Sequence, residues 1–207
     1  MNEPIQLDVT GRTRGRRLHK RVHHSLDEII AVLESSPIAH VGYVHDGNPF
    51  VTPTFHWVAG TNLYWHGSSA SRAIRAAEGS ETCVTVMARS AFHHSANFRS
   101  AMVFGRPRKL VDDAEKLAAL RSFLDKRFPG RWEQLRDVHP QELKATTILC
   151  LPITEASVKV RTGPPVDDAE DMAAPVWAGV VPLVQQLGEP QPDNADAARY
   201  GPPTVRL

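Results

Sequence analysis

Only two cysteines, Cys83 and Cys150, occur in 207 residues, and each sits within an apolar, β-branched run. Two thiols without ligand-like spacing suggest neither a disulfide framework nor a zinc site, and a free thiol in such a run behaves as a small hydrophobe. An excess of one charge is also missing. Lys and Arg number 24 against 23 Asp and Glu, so no global field demands nucleic acid or a membrane as partner. No apolar run approaches the roughly 20 residues that cross a bilayer, and no apolar stretch follows the first charges, so a cytoplasmic protein is expected. The chain lacks alternating βαβ units, internal repeats, a G-x-S-x-G nucleophile motif, and His-x3-His or Glu-x-x-His patterns on a helix. Those absences argue against a doubly wound fold, a serine hydrolase and a helical metal site, and no metal is expected.

What is present suffices for one substantial core with appendages: 42% of residues are hydrophobic and 23% charged. Residues 1–24 form an N-terminal arm whose stretch RTRGRRLHKRVHH (12–24) holds six Lys or Arg, three His and no acid. It reads as a solvated or subunit-docking arm, with nucleic-acid contact the less favoured reading. Residues 25–162 carry the periodic patterns. Residues 163–207 form a Pro-rich tail, since eight of the sixteen prolines fall in the last 46 residues. Its only apolar cluster, PVWAGVVPL, is expected to dock residues 175–185 through Trp177 on the core or on a partner subunit, with the chain mobile from about Gly188.

Within the body, Ser25 and Glu28 make a Ser-x-x-Glu capping box ahead of Leu26, Ile29, Ile30 and Leu33, a helix closed by Pro37. Three β-rich runs follow, separated by the turn signals Asp46-Gly47-Asn48-Pro49 and Ala59-Gly60-Thr61-Asn62. A short helix over about 71–78 ends at Gly79, and ETCVTVMA reads as a buried strand. RSAFHHSANFRS reads as a polar loop, followed by a strand over about 101–111. Asp112 with Glu115 then opens a helix whose Leu117, Leu120 and Leu124, with Phe123 and Phe128 nearby, should pack on the sheet. ATTILCLPITEASVKVR supplies the last strands, bent at Pro152. Antiparallel strands with inserted helices indicate a mainly β (α+β) barrel or strongly curved sheet. His40 and His56 are expected to be packed strand residues.

One stretch asks for more explanation: HGSSASRAIRAA (66–77), at a strand-to-helix junction. Read alone, its hydroxyls cap a helix and its arginines are solvated. The other reading is an anion clasp. The first amides of a helix lack internal partners, its dipole is positive there, and Arg adds a planar, permanently charged fork.

In order, HVGYVHDGNPFVTPT, LYWHGSSASR, CVTV, ARSAFHHSANFRS, VFG and VWAGVVPL resemble the flavin-nucleotide-binding branch of the pyridoxamine 5'-phosphate oxidase-like split-barrel family, which includes nitroimidazole-resistance proteins. The resemblance spans about residues 12–185. It implies an antiparallel split β-barrel, a homodimer, and flavin mononucleotide (FMN) in a groove between subunits. It further implies that Ser71 and Arg72 hold the phosphate, with Ser68, Ser69 and Arg75 as helpers, and that Val51, Thr52, Pro53 and Thr54 run along the ring. Pro53, lacking an amide donor, should mark a break in pairing or a sheet edge.

By the same resemblance His66, His93 and His94 are candidate catalytic or proton-relay groups, and Trp177 a stacking residue from the partner chain. Between CVTV and ARSAFHHS only Met87 intervenes, so a hairpin usual in the family is expected to be missing or much shortened. The function implied is an FMN-dependent oxidoreductase acting on a small planar or nitroaromatic molecule. A non-catalytic flavin binder or sensor, and a haem-binding split barrel, are the alternatives.

Overall fold

Strands form where β-branched runs are bounded by turn residues, and the hairpins set their register. In the computed structural model, residues 4–92, 96–166, 168–169, 175–195 and 197–206 are described. In chain order the strands are β1 (Val22–His23), β2 (Ile38–His45), β3 (Asn48–Ala59), β4 (Asn62–Ser68), β5 (Thr82–Phe92), β6 (Ala96–Gly105), β7 (Arg108–Lys109), β8 (Thr146–Pro152), β9 (Glu155–Arg161) and β10 (Val181–Pro182). The helices are α1 (Leu26–Glu34), α2 (Arg72–Ala77), α3 (Asp113–Arg127) and α4 (Pro140–Ala145). The strands pair antiparallel in the order β1-β9-β6-β5-β2-β3-β4-β8-β7, with β10 beside β5, as a split barrel.

Asp46 and Gly47, at φ of 50° and 75°, close the β2–β3 hairpin with the two positive dihedrals that a tight two-residue loop demands. The twelve residues of β3 then serve both halves of the sheet. Residues 48–55 pair with β2, while residues 56–59 pair with β4. Burial changes at the same point, from alternation to three successive buried residues, His56, Trp57 and Val58. There α1 covers one face and α3 the other, so the strand has a core on each side. Pro53 lies in the first half, paired with His40 on one side and without a described strand on the other, which is the expected sheet edge.

The larger core lies inside the barrel, where Leu26, Ile29, Val32 and Leu33 of α1 meet inward residues such as Val41, Val84, Val103, Leu149 and Val158. A smaller one gathers Trp57, Leu110, Ala119, Ile148 and Cys150 beneath α3. Asp112 caps α3, accepting the Glu115 amide at 2.8 Å. Of the three leucines of α3 expected on the sheet, only Leu120 packs there. Ala119, Leu120 and Phe123 make the contact, and Leu117 and Leu124 turn towards a cavity described below.

Several expectations are corrected. Ser25 stands at the N-cap of α1 but makes no side-chain cap bond; Glu28 instead meets His23 Nδ1 at 2.6 Å, a partner supplied by β1. The stretch read as a polar loop belongs largely to β5 and β6, which pair from Thr82–Gly105 to Phe92–Ala96 with a register shift between Arg89 and Ala91. The hairpin expected to be missing or much shortened is therefore present, with β5 paired to β6 along its whole length apart from the register shift. Its backbone groups are satisfied by the ladder, so polar side chains do not prevent it from forming. The strand expected over 101–111 is split, because Gly105 (φ 152°) and Pro107 break it before β7. Helix α4 was not foreseen; His139 and Glu142 form its capping box, with Pro140 at the first turn.

The arm is anchored on its own sheet: Arg12 bridges Glu81 and Glu155, and β1 pairs with β9. In the tail, β10 pairs with β5, yet Trp177 is 71% exposed and packs on Gly179 rather than on the core. Farther on, the Arg206 amide donates to the Arg127 carbonyl at 2.9 Å, tying the chain back to α3. No described helix is long and apolar enough to cross a membrane.

Leu149→Ala, at a fully buried position, should lower unfolding free energy by about 3 kcal/mol, whereas Val111→Ala at an exposed one should change it by less than about 0.5 kcal/mol. Urea unfolding followed by circular dichroism measures both.

Candidate functional site

Strand β4 runs directly into α2, and the turn between them is held tightly. The Ser69 amide donates to the Ala145 carbonyl at 2.8 Å, and the Ala70 amide to Ser68 Oγ at 3.2 Å. Arg75 does not reach outward. Its Nε and Nη2 donate to the carbonyls of Ser69 and Ala70 at 3.1 and 2.7 Å, so it fixes the turn from the first coil of the helix.

Ser71 occupies the N-cap in extended conformation with no side-chain cap bond, which leaves its hydroxyl uncommitted. The Arg72 guanidinium rests 4.3 Å above the ring centroid of Phe50. Phe50 stacks on Tyr43, whose hydroxyl lies 3.3 Å from Thr52 Oγ1. No described carboxylate forms an ion pair with Arg72, so its charge is held by a ring face and solvent alone.

Beside this corner lies a cavity of ≈ 200 Å³ bounded by Thr52, Thr54, Trp65, His66, Ser71 and Ile74, among others. The structure thus brings together four of the residues singled out from sequence: Thr52, Thr54, His66 and Ser71. Val51 and Pro53 fall on the opposite, exposed face of β3, as the two-residue period requires. Arg72 is adjacent through Ser71, Arg75 supports the turn, and Ser68 and Ser69 shape it. Trp177 does not line this cavity. His93 and His94 lie outside the described residues. Trp65 and Ile74 were not foreseen; the alternation of β4 and the helical period of α2 point both towards the interior.

His66 also lines a second, larger cavity of ≈ 440 Å³ between the sheet and the α3–α4 segment. Its walls are Leu117, Leu120, Phe123, Leu124, Trp132 and neighbours, with Arg136 at hand, itself paired with Glu142. The His66 ring sits 6.0 Å from that of Trp57 and 5.7 Å from that of Phe123. Its Nδ1 is buried without a hydrogen-bond partner among the described residues, and burial lowers its pKa, so the imidazole is neutral at pH 7. His56, by contrast, is packed as expected, with Nε2 donating to the Leu33 carbonyl at 2.8 Å, whereas His40, expected to be packed too, is exposed on β2. No cluster of three His, Cys, Asp or Glu able to hold a metal occurs among the described residues.

A split barrel with an uncommitted guanidinium, a hydroxyl-lined cleft and an adjoining apolar pocket is the class of protein that the fold and the site define. The chain belongs to the pyridoxamine 5'-phosphate oxidase family, whose model matches residues 25–160. It is similar to the flavocytochrome Anf3 from Azotobacter vinelandii, at 42% identity over 93% of this chain and 97% of that one, TM-score 0.84. It is also similar to the FAD and haem binding protein from Mycobacterium smegmatis, at 35% identity over 88% and 94%, TM-score 0.80. The 5-nitroimidazole antibiotic resistance protein homologue from Bacteroides thetaiotaomicron shares the fold at 19% identity over 67% and 86%, TM-score 0.59. No curated protein sequence matches this chain.

Burial holds His56 at about 4, against 6.5 for an exposed ring, with the carbonyls of Leu33 and Pro37 opposing the shift only in part. Between those values the unfolded chain takes up a proton that the folded chain refuses. The stabilisation is complete above about pH 6.5 and falls away as pH drops towards 4. His66 acts in the same direction. Lowering pH from 7 to 5 should cost about 2 kcal/mol through His56 alone, and His56→Gln should flatten that part of the profile. Arginine-paired Glu142, held at about 2, contributes only in a lower window. Urea midpoints across this pH range check the sign.

Proposed function

We propose that this protein is a flavin-dependent redox protein that also carries haem. The observation that carries the reading is His66, a half-buried, neutral imidazole lining both the cleft beside Ser71 and the apolar pocket under α3. Likeness to a flavocytochrome and to a FAD and haem binding protein supports assigning both groups.

Ser71 and Arg72 hold the flavin phosphate, a group that FMN and FAD share, and Arg75 keeps their turn in place. Thr52 and Thr54 offer hydroxyls along the cleft, while Trp65 and Ile74 keep one wall dry. His66 would hold haem iron; its ring is neutral, as ligation requires, and its Nδ1 has no competing partner among the described residues. Leu117, Leu120, Phe123, Leu124 and Trp132 would exclude water from the macrocycle. A bound flavin supplies one- and two-electron chemistry, and haem one-electron chemistry. The exposed apolar residues Val51, Phe55, Met87 and Met102 form the contact of a homodimer.

Reconstitution with FMN, FAD and haemin tests the assignment. Wild type should show flavin bands and a Soret band. His66→Ala should lose the Soret band and keep flavin. Arg72→Ala should weaken flavin binding by about ten-fold or more, and Arg75→Ala by only a few-fold, since Arg75 acts through the turn. Flavin bands with no Soret band in wild type would remove haem and leave an FMN-dependent oxidoreductase, which NAD(P)H-driven turnover of a nitroaromatic then examines. Binding of neither group sinks both readings.

A further inference from the structure

Aromatic rings lead away from the pocket under α3 in an unbroken file. The Trp57 ring lies 5.1 Å from that of Phe123 and 6.0 Å from that of His66, and both of those rings wall the pocket. Trp57 also stacks on Tyr64, with ring centroids 5.6 Å apart and planes 14° from parallel. The two residues are register partners across β3 and β4, so strand pairing fixes the stack. Tyr64 in turn stands opposite Cys150 of β8, which stands opposite Arg108 of β7. Arg108 and its partner Glu115 are exposed, and Tyr64 itself is only half-buried. The file thus runs from the pocket wall, through a tryptophan 1% exposed, to a tyrosine with access to solvent.

Indole and phenol rings yield single electrons far more readily than phenyl rings, so Trp57 and Tyr64 are the members of the file able to carry one. Their proton chemistry sets the direction. An indole N–H only donates, and Trp57 Nε1 is buried with no acceptor among the described residues. Oxidised Trp57 therefore keeps its proton as a radical cation, and with it the driving force to take an electron from the next ring. Burial pushes Tyr64 up to about 12, so its phenol is protonated at neutral pH. Once oxidised, half-buried Tyr64 sheds that proton to water, which makes the electron step from Tyr64 to Trp57 downhill. The other two tyrosines are placed differently: Tyr43 is 4% exposed against Phe50, and Tyr200 lies in the tail, 78% exposed.

We propose that Trp57 and Tyr64 form a one-electron relay by which a small reductant at the surface beside Arg108 feeds hydrogen peroxide reduced in the pocket under α3. The relay rests on the haem reading above. Each peroxide takes up two electrons and two protons and becomes two waters. Trp57 delivers the electrons one at a time and is refilled each time by Tyr64, which releases its phenolic proton to water. A reductant of the phenol or ascorbate class then returns one electron and one proton to Tyr64, so two reductant molecules are consumed per peroxide.

Electron paramagnetic resonance tests the relay on the full chain loaded with haemin, mixed with hydrogen peroxide without reductant and frozen. A tyrosyl radical is expected. Tyr64→Phe should remove it and leave a tryptophanyl radical in its place, Trp57→Phe should abolish it, and Tyr200→Phe should leave it unchanged. Both Tyr64→Phe and Trp57→Phe should keep the Soret band. Circular dichroism checks the fold, and Tyr64→Phe decides should Trp57→Phe fail to fold. A tyrosyl radical that survives either of those two substitutions overturns the relay, as does a Soret band in wild type with no protein radical after peroxide; the haem reading stands in both cases. No Soret band in wild type removes the haem reading and the relay together.

Discussion

Strand β3 spends its hydrogen bonds on β2 along its first half and on β4 along its second, and the remainder of the architecture follows from that division. A strand shared in this way bends two half-sheets apart and leaves one edge of residues 48–55 open beside the cleft. Backbone groups must find partners, so each half recruits its own neighbours, β5, β6 and β9 on one side and β8 and β7 on the other. Where the two halves meet, His56, Trp57 and Val58 are buried in succession, because helices cover both faces.

The two cavities bordered by His66 sit beside this handover. Thr52 and Thr54 come from the open half of β3, and His66 from the strand that β3 recruits. Charge is distributed accordingly. Arg75 is committed to two carbonyls, Arg12 to two carboxylates and Arg136 to Glu142, whereas Arg72 rests only on the Phe50 ring. An arginine kept in place by a ring face, without a competing acid, retains its charge for an incoming anion. Two arginines three residues apart in one short helix thus do different work, one shaping the turn and the other facing outward.

Much of the fold was legible because it is local. Asp46-Gly47 allows few arrangements other than a tight hairpin loop, Gly79 at φ 66° ends α2 where expected, and Asp112 caps α3. The β5–β6 hairpin was not legible, since Arg89, Asn97 and Arg99 lack the apolar alternation by which a strand is recognised and owe their conformation to the ladder. Ser25 and Glu28 had the spacing of a capping box, yet a histidine from β1 took the glutamate. Trp177 was expected on the core or on a partner subunit, and nothing in its apolar neighbours revealed that a two-residue pairing with β5 would dock the segment on its own chain while the indole stays off the core.

The amino-acid sequence by itself determined the turns, the helix starts, the alternation of β2 and β4, and the hydroxyl and guanidinium of the 66–77 stretch, all of which depend on residues within a few positions of one another. Only the tertiary structure decided that His66 borders two cavities and that the His56 ring is locked against the end of α1. Those outcomes depend on contacts between segments far apart in the chain, and a side chain's charge state and partners are set by what surrounds it in space.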